Sequence, residues 1–315
     1  MKNILVTGAS GFVGQQLCET LKNFNYNVYK AVRKIEINKP QDLRKIEIGK
    51  IDNNTDWSKA LKNIDCVIHC AGRAHRSNEQ SIKIYHETNV EGTKNLAEQC
   101  VKFGVKRFIF LSTIKVNGEK TEKNLSFKHD DLPFPTDEYG VSKWQAEKIL
   151  KEISKKCGLE IVIIRSPLVY GPGVKGNFLR LMNLTFKKIP LPISKIDNLR
   201  SFVGIENLID LIICCIKNQT ASGKIFLVSD CKDVSTPELI AFLGNTMKKS
   251  QYFIPMPIIL IKFLAKILNK SSEVERLTGN LQVDCTYTCE VLNWKPPVDI
   301  KDGLRKTVEW YLKNR

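Results

Sequence analysis

A single turn near the N-terminus limits what this chain can fold into. An apolar run, Asn3–Thr7, leads directly into Thr7-Gly8-Ala9-Ser10-Gly11-Phe12-Val13-Gly14, and an amphipathic pattern carrying Val13, Leu17 and Leu21 follows. Glycines spaced Gly-x-x-Gly-x-x-Gly between a strand and a helix have separate tasks. The first permits the tight turn, the second lets backbone approach a bound group, and the third lets the helix pack on the strand. The helix N-terminus then offers oriented N–H groups to an anion such as a pyrophosphate. The same glycines could serve a tight turn alone, but the flanking strand and helix favour anion binding.

The first half continues in that rhythm. Strands are predicted at Asn3–Thr7, Val28–Val32, Lys45–Ile48, Cys66–Cys70, Arg107–Ser112 and Glu160–Ile164, with helical periodicity between them, as at Thr93, Leu96, Ala97 and Cys100. Alternation of strand and helix implies right-handed βαβ crossovers, hence an α/β fold of Rossmann type: a doubly wound parallel sheet. Ligands bind such sheets at the carboxyl ends of the strands. After Arg165 the rhythm breaks at Pro167, Gly171-Pro172-Gly173, Gly176, Pro190 and Pro192. Helices then follow at Ile205–Lys217, from Thr236 and at Leu304–Lys313, with a strand at Ile225–Val228. The expected organisation is a dinucleotide-binding domain over 1–170 and a smaller C-terminal substrate lobe, mainly 171–315, interleaved with the core. No internal repeat or low-complexity tract is present.

Composition narrows the class. The chain has 315 residues, 43% of them hydrophobic, and a formal net charge of +16. That charge suggests an anionic partner, either a nucleic acid, a membrane surface or a phosphorylated small molecule. The lysines are scattered, with no basic block interleaved with aromatics, so nucleic acid is not the expected partner. The ten cysteines form no CxxC, which argues against a metal site. They read as reduced buried thiols in a cytoplasmic protein. The N-terminal apolar run is too short for a signal peptide. The most apolar stretch, Phe253–Leu268, contains two prolines and two lysines and is short for a span. It reads as a packed helix, and membrane insertion is not expected.

Two further features carry chemistry. The second strand ends at Val32-Arg33-Lys34, with no acid to hold an adenosine ribose 2′-hydroxyl. Arg33 instead suits a 2′-phosphate and hence NADP; its other reading is a solvated surface arginine. Downstream, Tyr139-Gly140-Val141-Ser142-Lys143 places a phenol and an ammonium on one helix face. The ammonium is expected to lower the phenol pKa and create an acid/base working at neutral pH. The spacing is common by chance. Joined to the glycine turn and to Ser112-Thr113, it is far more specific.

Together with His69-Cys70-Ala71-Gly72, Asn89-Val90-Glu91-Gly92-Thr93 and Arg165-Ser166-Pro167-Leu168-Val169-Tyr170-Gly171-Pro172, these motifs resemble the extended short-chain dehydrogenase/reductases of the nucleotide-sugar epimerase/dehydratase family. The resemblance implies roles for matching positions. Tyr139 would be the acid/base, Lys143 would hold the nicotinamide ribose and tune it, and Thr113 would bond the reacting sugar oxygen. Gly8, Ser10, Gly11, Phe12, Val13, Gly14, Arg33, Ile51, Ala71, Gly72, Asn89, Lys143 and Pro167 would line an NADP or NAD site. Asn177 and Arg200 would contact the diphosphate of a UDP-sugar substrate. A homodimer built on the helices near Asn89 and Tyr139 is the family expectation; their apolar positions could equally be core. Lys50 stands where many relatives have an aspartate that reads adenine, and Asp52 is a weak substitute. Asn117 replaces a tyrosine common before Gly118.

The resemblance also narrows the reaction. Dehydratases of the family follow the Thr113 position with titratable groups, related decarboxylases carry a glutamate at the Lys115 position, and epimerase-reductases a cysteine at the Ile114 position. Here Ile114 and Lys115 fit none of these. Two reactions at sugar carbon 4 remain: 4-keto reduction, favoured by Arg33, and 4-epimerisation with retained NAD. The runs Ser201–Leu208, Ser235–Leu239 and Gly279–Asp284 resemble a surface-polysaccharide subgroup that reduces UDP-4-keto-6-deoxy-N-acetylhexosamines, which also points to reduction. A non-catalytic dinucleotide sensor would explain the glycines but has no need of Thr113, Tyr139 and Lys143 together.

Overall fold

The computed structural model describes residues 1–35, 44–73, 81–267 and 271–315. The elements run β1 (Asn3–Thr7), α1 (Phe12–Asn23), β2 (Asn27–Val32), β3 (Lys45–Glu47), α2 (Ser58–Leu61), β4 (Cys66–His69), α3 (Ser81–Tyr85), α4 (Gly92–Lys102), β5 (Arg107–Thr113) and α5 (Glu138–Cys157). A π-helical turn, His86–Glu91, joins α3 to α4. Then follow β6 (Glu160–Ser166), β7 (Leu168–Tyr170), α6 (Gly176–Phe186), β8 (Phe202–Gly204), α7 (Ile205–Lys217), β9 (Ile225–Leu227), α8 (Thr236–Thr246), α9 (Ile258–Ile267), α10 (Ser271–Thr278), α11 (Thr286–Leu292) and α12 (Ile300–Lys313). The apolar stretch Phe253–Leu268 is thus helical over its second part, beyond Pro257; residue 268 lies outside the described residues.

Seven strands form one parallel sheet in the order β3-β2-β1-β4-β5-β6-β9. The order reverses between β1 and β4, so a crevice opens at their carboxyl ends, where the glycine turn lies. Alternation along β1 sends Ile4 and Val6 to one face, with Leu17 and Leu21 of α1 and Leu208 and Ile212 of α7. Leu5 goes to the other face with Leu96 of α4 and Ala146 and Leu150 of α5. Both α7 and β9 come from beyond residue 171, so the two halves of the chain share one sheet. Buried Arg107 holds this junction. It pairs with Glu160 at 2.6 Å and donates to the carbonyls of Cys215 and Asn218 at the end of α7.

The second half gathers around Tyr170, whose hydroxyl donates to Asp230 at 2.7 Å. Asp230 also accepts from Gly204 N and from Asn207, which ties β8 and α7 to the start of α12 through Val298.

Helix α5 begins where Asp137 accepts from Gly140 N at 2.7 Å and ends at Gly158 in the left-handed region. Its inner face carries Tyr139, Lys143 and Glu147 at four-residue intervals. Glu147 pairs with Arg165 of β6 at 2.6 Å, with both side chains 2% exposed. Glu147 also accepts from Ser112 Oγ of β5 at 2.5 Å, while Arg165 Nη1 donates to Asn117 at 2.9 Å. Asn117 is therefore a member of this buried network. Removing one partner leaves an uncompensated buried charge, which costs about 3–5 kcal/mol. Glu147→Ala is accordingly expected to lose about that much stability in urea unfolding, and a loss below about 1 kcal/mol would contradict the assignment.

Candidate active site

The glycine turn is built by close backbone approach. Gly8 has φ +66°, and a Cβ there would lie 2.8 Å from Ala71 N. A Cβ on Gly14 would lie 2.2 Å from the Gly8 carbonyl. Gly11 N donates to Gly8 O at 2.8 Å and stands at the N-cap of α1, which has neither a side-chain cap nor an acidic residue in its first turn. The first-turn N–H groups are thus available to an anion, and Ser10 and Gly11 are exposed beside the half-buried Phe12 and Val13.

A buried relay ties the ends of β1 and β4 together. Thr93 spends its hydroxyl proton on Asn89 O, so the neutral His69 carries its proton on Nε2 and its Nδ1 accepts from Thr7 Oγ1 at 2.7 Å, while Thr7 Oγ1 accepts from Ala71 N at 3.2 Å. His69 Nε2–H then donates to Thr93 Oγ1 at 3.1 Å, and Thr93 donates to Asn89 O at 2.7 Å. The imidazole is neutral: burial, then the charge of Lys143, pushes its pKa down to about 3. Asn89 lies in the π-helical turn, the kind of local irregularity that re-aims a side chain. Its amide donates to Ser142 Oγ at 3.0 Å and accepts from Arg73 N at 2.8 Å. Ser142 in turn donates to Tyr139 O.

Lys143 is 3% exposed, and its ammonium stands 3.9 Å from the centre of the Phe110 ring. Burial lowers its pKa to about 7, opposed by the charge of Glu147. Gly72 lies above this group, with its Cβ direction 3.3 Å from Asn89 Oδ1 and 3.9 Å from Lys143 Nζ. Tyr139 departs from expectation. Its pKa is pushed up to about 12, first by burial and then by Asp137 and Tyr85. The expected lowering by Lys143 does not occur, since loss of water around the phenol and the charges of Asp137 and Tyr85 all act to raise its pKa. Thr113 is buried at the end of β5, with its Oγ1 accepting from Lys115 N at 3.3 Å.

The two positions after Thr113 are occupied structurally. Ile114 packs with Leu227, Leu281, Val283 and Cys285. The Lys115 ammonium pairs with Glu119 at 2.6 Å and with Asp137, the cap of α5.

At the cofactor-side rim, Arg33 is exposed just past β2, Ile51 is half-buried and Pro167 is buried between β6 and β7. Lys50 pairs with Glu87 at 2.7 Å, and Asp52 accepts from Asn54 N. An acid not singled out from sequence, Glu47 of β3, is near the end of β2; its carboxylate accepts from Ile35 N at 2.9 Å. In the second half Asn177 is exposed in the first turn of α6. Arg200 is held by Gly279 O at 2.9 Å and by backbone pairing with Val234. Burial, then the charge of Arg276 on α10, lowers its pKa to about 10. Arg276 was also not singled out from sequence, since only the fold brings it beside Arg200. The structure records no direct contact between Asn177 and Arg200. Among the described residues no cluster of metal-ligating side chains is present, and no helix is long and apolar enough to cross a membrane.

Comparison with known proteins agrees with this architecture. The chain is 45% identical to the UDP-glucose 4-epimerase of Vibrio cholerae, over 99% of this chain and 96% of that one. It is 27% identical to the N-acetyl-α-D-glucosaminyl-diphospho-ditrans,octacis-undecaprenol 4-epimerase of Escherichia coli O157:H7, over 98% and 95% of the two chains. Among solved structures, the UDP-glucuronic acid 4-epimerase of Bacillus cereus in complex with NAD superposes with a TM-score of 0.80 at 26% identity, covering 99% of each chain. The sequence model of the NAD dependent epimerase/dehydratase family matches residues 4–229, and the chain belongs to that family.

Proposed function

We propose that this member of the NAD dependent epimerase/dehydratase family transfers hydride at carbon 4 of a UDP-sugar, and that its net reaction is NADPH-dependent reduction of a UDP-4-keto-N-acetylhexosamine or its 6-deoxy derivative. The observation that carries the chemistry is the position of Ile114. It is core, and Lys115 is held by two carboxylates, so the site offers no acid/base pair for elimination beside the proton carrier Tyr139.

The residues present fit a dinucleotide. The uncapped first turn of α1, with Gly8, Ser10, Gly11, Phe12, Val13 and Gly14, would hold the pyrophosphate. Ile51 would line the adenine side, and Ala71, Gly72, Asn89, Lys143 and Pro167 the nicotinamide side. A dinucleotide held there would supply hydride chemistry at carbon 4. The chain supplies the rest. Tyr139, which burial keeps protonated at neutral pH, gives its hydroxyl proton to oxygen 4. Lys143 stabilises the phenolate left behind, and Thr113 donates a hydrogen bond to the same oxygen. Arg200, with Asn177 and the neighbouring Arg276, would hold the diphosphate, for which a guanidinium fork is suited.

Arg33 favours NADPH, and with it reduction. The second reading, 4-epimerisation with retained NAD, is favoured by the likeness to the Vibrio cholerae enzyme. The two differ in stoichiometry. Given a UDP-4-keto-6-deoxy-N-acetylhexosamine, the chain should oxidise one NADPH per sugar reduced. Arg33→Asp should lower kcat/KM for NADPH by about ten- to a hundred-fold, the worth of a charged hydrogen bond, while sparing NADH. Inversion of a UDP-sugar at carbon 4 by tightly retained NAD, without net cofactor use, would replace this reading by the second. Tyr139→Phe should cut turnover by at least about 100-fold and leave UDP-sugar binding intact by calorimetry; near-normal turnover would remove Tyr139 from its role.

A further inference from the structure

Helix α9 turns Ile261 and Ala265 inward and leaves Ile259, Phe263 and Ile267 on its outer side, 83%, 60% and 62% exposed. These three repeat every fourth residue and form one stripe. Lys262 and Lys266 are exposed along it. The stripe continues the segment before it, where Tyr252 and Ile254 are also exposed.

That segment lies beside a matching one. Leu191 N donates to Tyr252 O, and Ile254 N donates to Leu191 O, at 3.1 and 2.8 Å. Each segment leaves a helix through a Lys-Lys turn: Lys187-Lys188 after α6 and Lys248-Lys249 after α8, with Lys188 and Lys248 both left-handed. Gln251 donates to Thr185 O at 2.8 Å and Lys249 Nζ stands 5.1 Å from the Phe186 ring, so the two turns are neighbours. The two paired segments themselves carry no negative charge, the acids next along the chain after the second being Glu273 and Glu275 of α10. No acidic residue occurs between Glu160 and Asp197, or between Glu238 and Glu273.

We propose that this face docks the protein on an anionic lipid surface. An apolar stripe on a short helix, flanked by lysines, suits the headgroup boundary, with the ring and aliphatic side chains entering the acyl region and the ammonium groups meeting lipid phosphates. The helix has ten residues and lies along the surface without crossing it. The absence of acids over both paired segments is the complementarity that selects an anionic bilayer over a neutral one. Helix α9 is followed directly by α10, which carries Arg276 beside Arg200, so docking places one wall of the candidate diphosphate site at the membrane edge.

Co-sedimentation of the full chain with phosphatidylglycerol vesicles and with phosphatidylcholine vesicles tests this. The protein should partition onto the anionic vesicles and be released by 0.5 M salt, about the ionic strength that screens such contacts. Phe263→Ser with Ile267→Ser should abolish partition while preserving the circular dichroism melt and turnover. Lys262→Gln with Lys266→Gln, which spares the apolar stripe, should weaken it by about 25-fold, about five-fold for each lysine. No partition, equal partition onto both vesicles, or partition unchanged by both variants would overturn the proposal. So would a smaller sedimenting species for the serine variant without lipid, which would make this face a contact between two copies.

Discussion

The pairing of Glu147 with Arg165 sets the geometry on which the rest of the site depends. Two charges removed from water tolerate only arrangements that keep them together. Here that condition joins α5 to β6 directly and to β5 through Ser112, while Asn117 takes up the remaining arm of the guanidinium. Because Tyr139 and Lys143 precede Glu147 by two turns and one turn on the same face, seating Glu147 seats them as well. The π-helical turn then clips the other end of the helix, through Asn89 and Ser142. The part of α5 that carries Tyr139 is therefore held at both ends by side-chain contacts.

The electrostatics of the site follow from burial more than from pairing. Lys143 rests against the Phe110 ring, His69 beside it is neutral, and Tyr139 keeps its proton. In such a place a polar ligand that hydrogen-bonds Lys143 restores what desolvation takes away. A dinucleotide ribose is of that kind, and the proposed function joins the glycine turn, the relay through Thr7 and His69, and Lys143 into one site for it. In the proposed reading, Ile114 and Lys115 limit that site to moving a single hydroxyl proton.

Much of this was legible in the sequence, because local patterns were strong. The strands from Asn3, Lys45, Cys66, Arg107 and Glu160 begin where their apolar runs begin, and Ile205–Lys217 is helical over the expected range. The glycine turn was readable because its spacing serves one backbone geometry. What was hidden depends on contacts distant in sequence. Glu147 and Arg165 carry no sign of burial in their neighbours, and Glu47 and Arg276 reach the site only through sheet order and helix placement. The sign of the Tyr139 shift was misread because spacing reveals a neighbouring charge but not the loss of water around it. The π-helical turn has no compositional signal, and the sequence showed only a helix near Asn89.

Carbon-4 hydride transfer without elimination predicts a specific isotope pattern. Removing water across carbons 5 and 6 would send the carbon-5 proton through an acid/base group that exchanges with solvent, whereas hydride transfer moves hydrogen directly between carbons. Turnover of the UDP-sugar in D2O, followed by NMR or mass spectrometry of the product, tests this most directly. No carbon-bound deuterium beyond that of an enzyme-free control is expected. Enzyme-dependent deuterium at carbon 5 would contradict it.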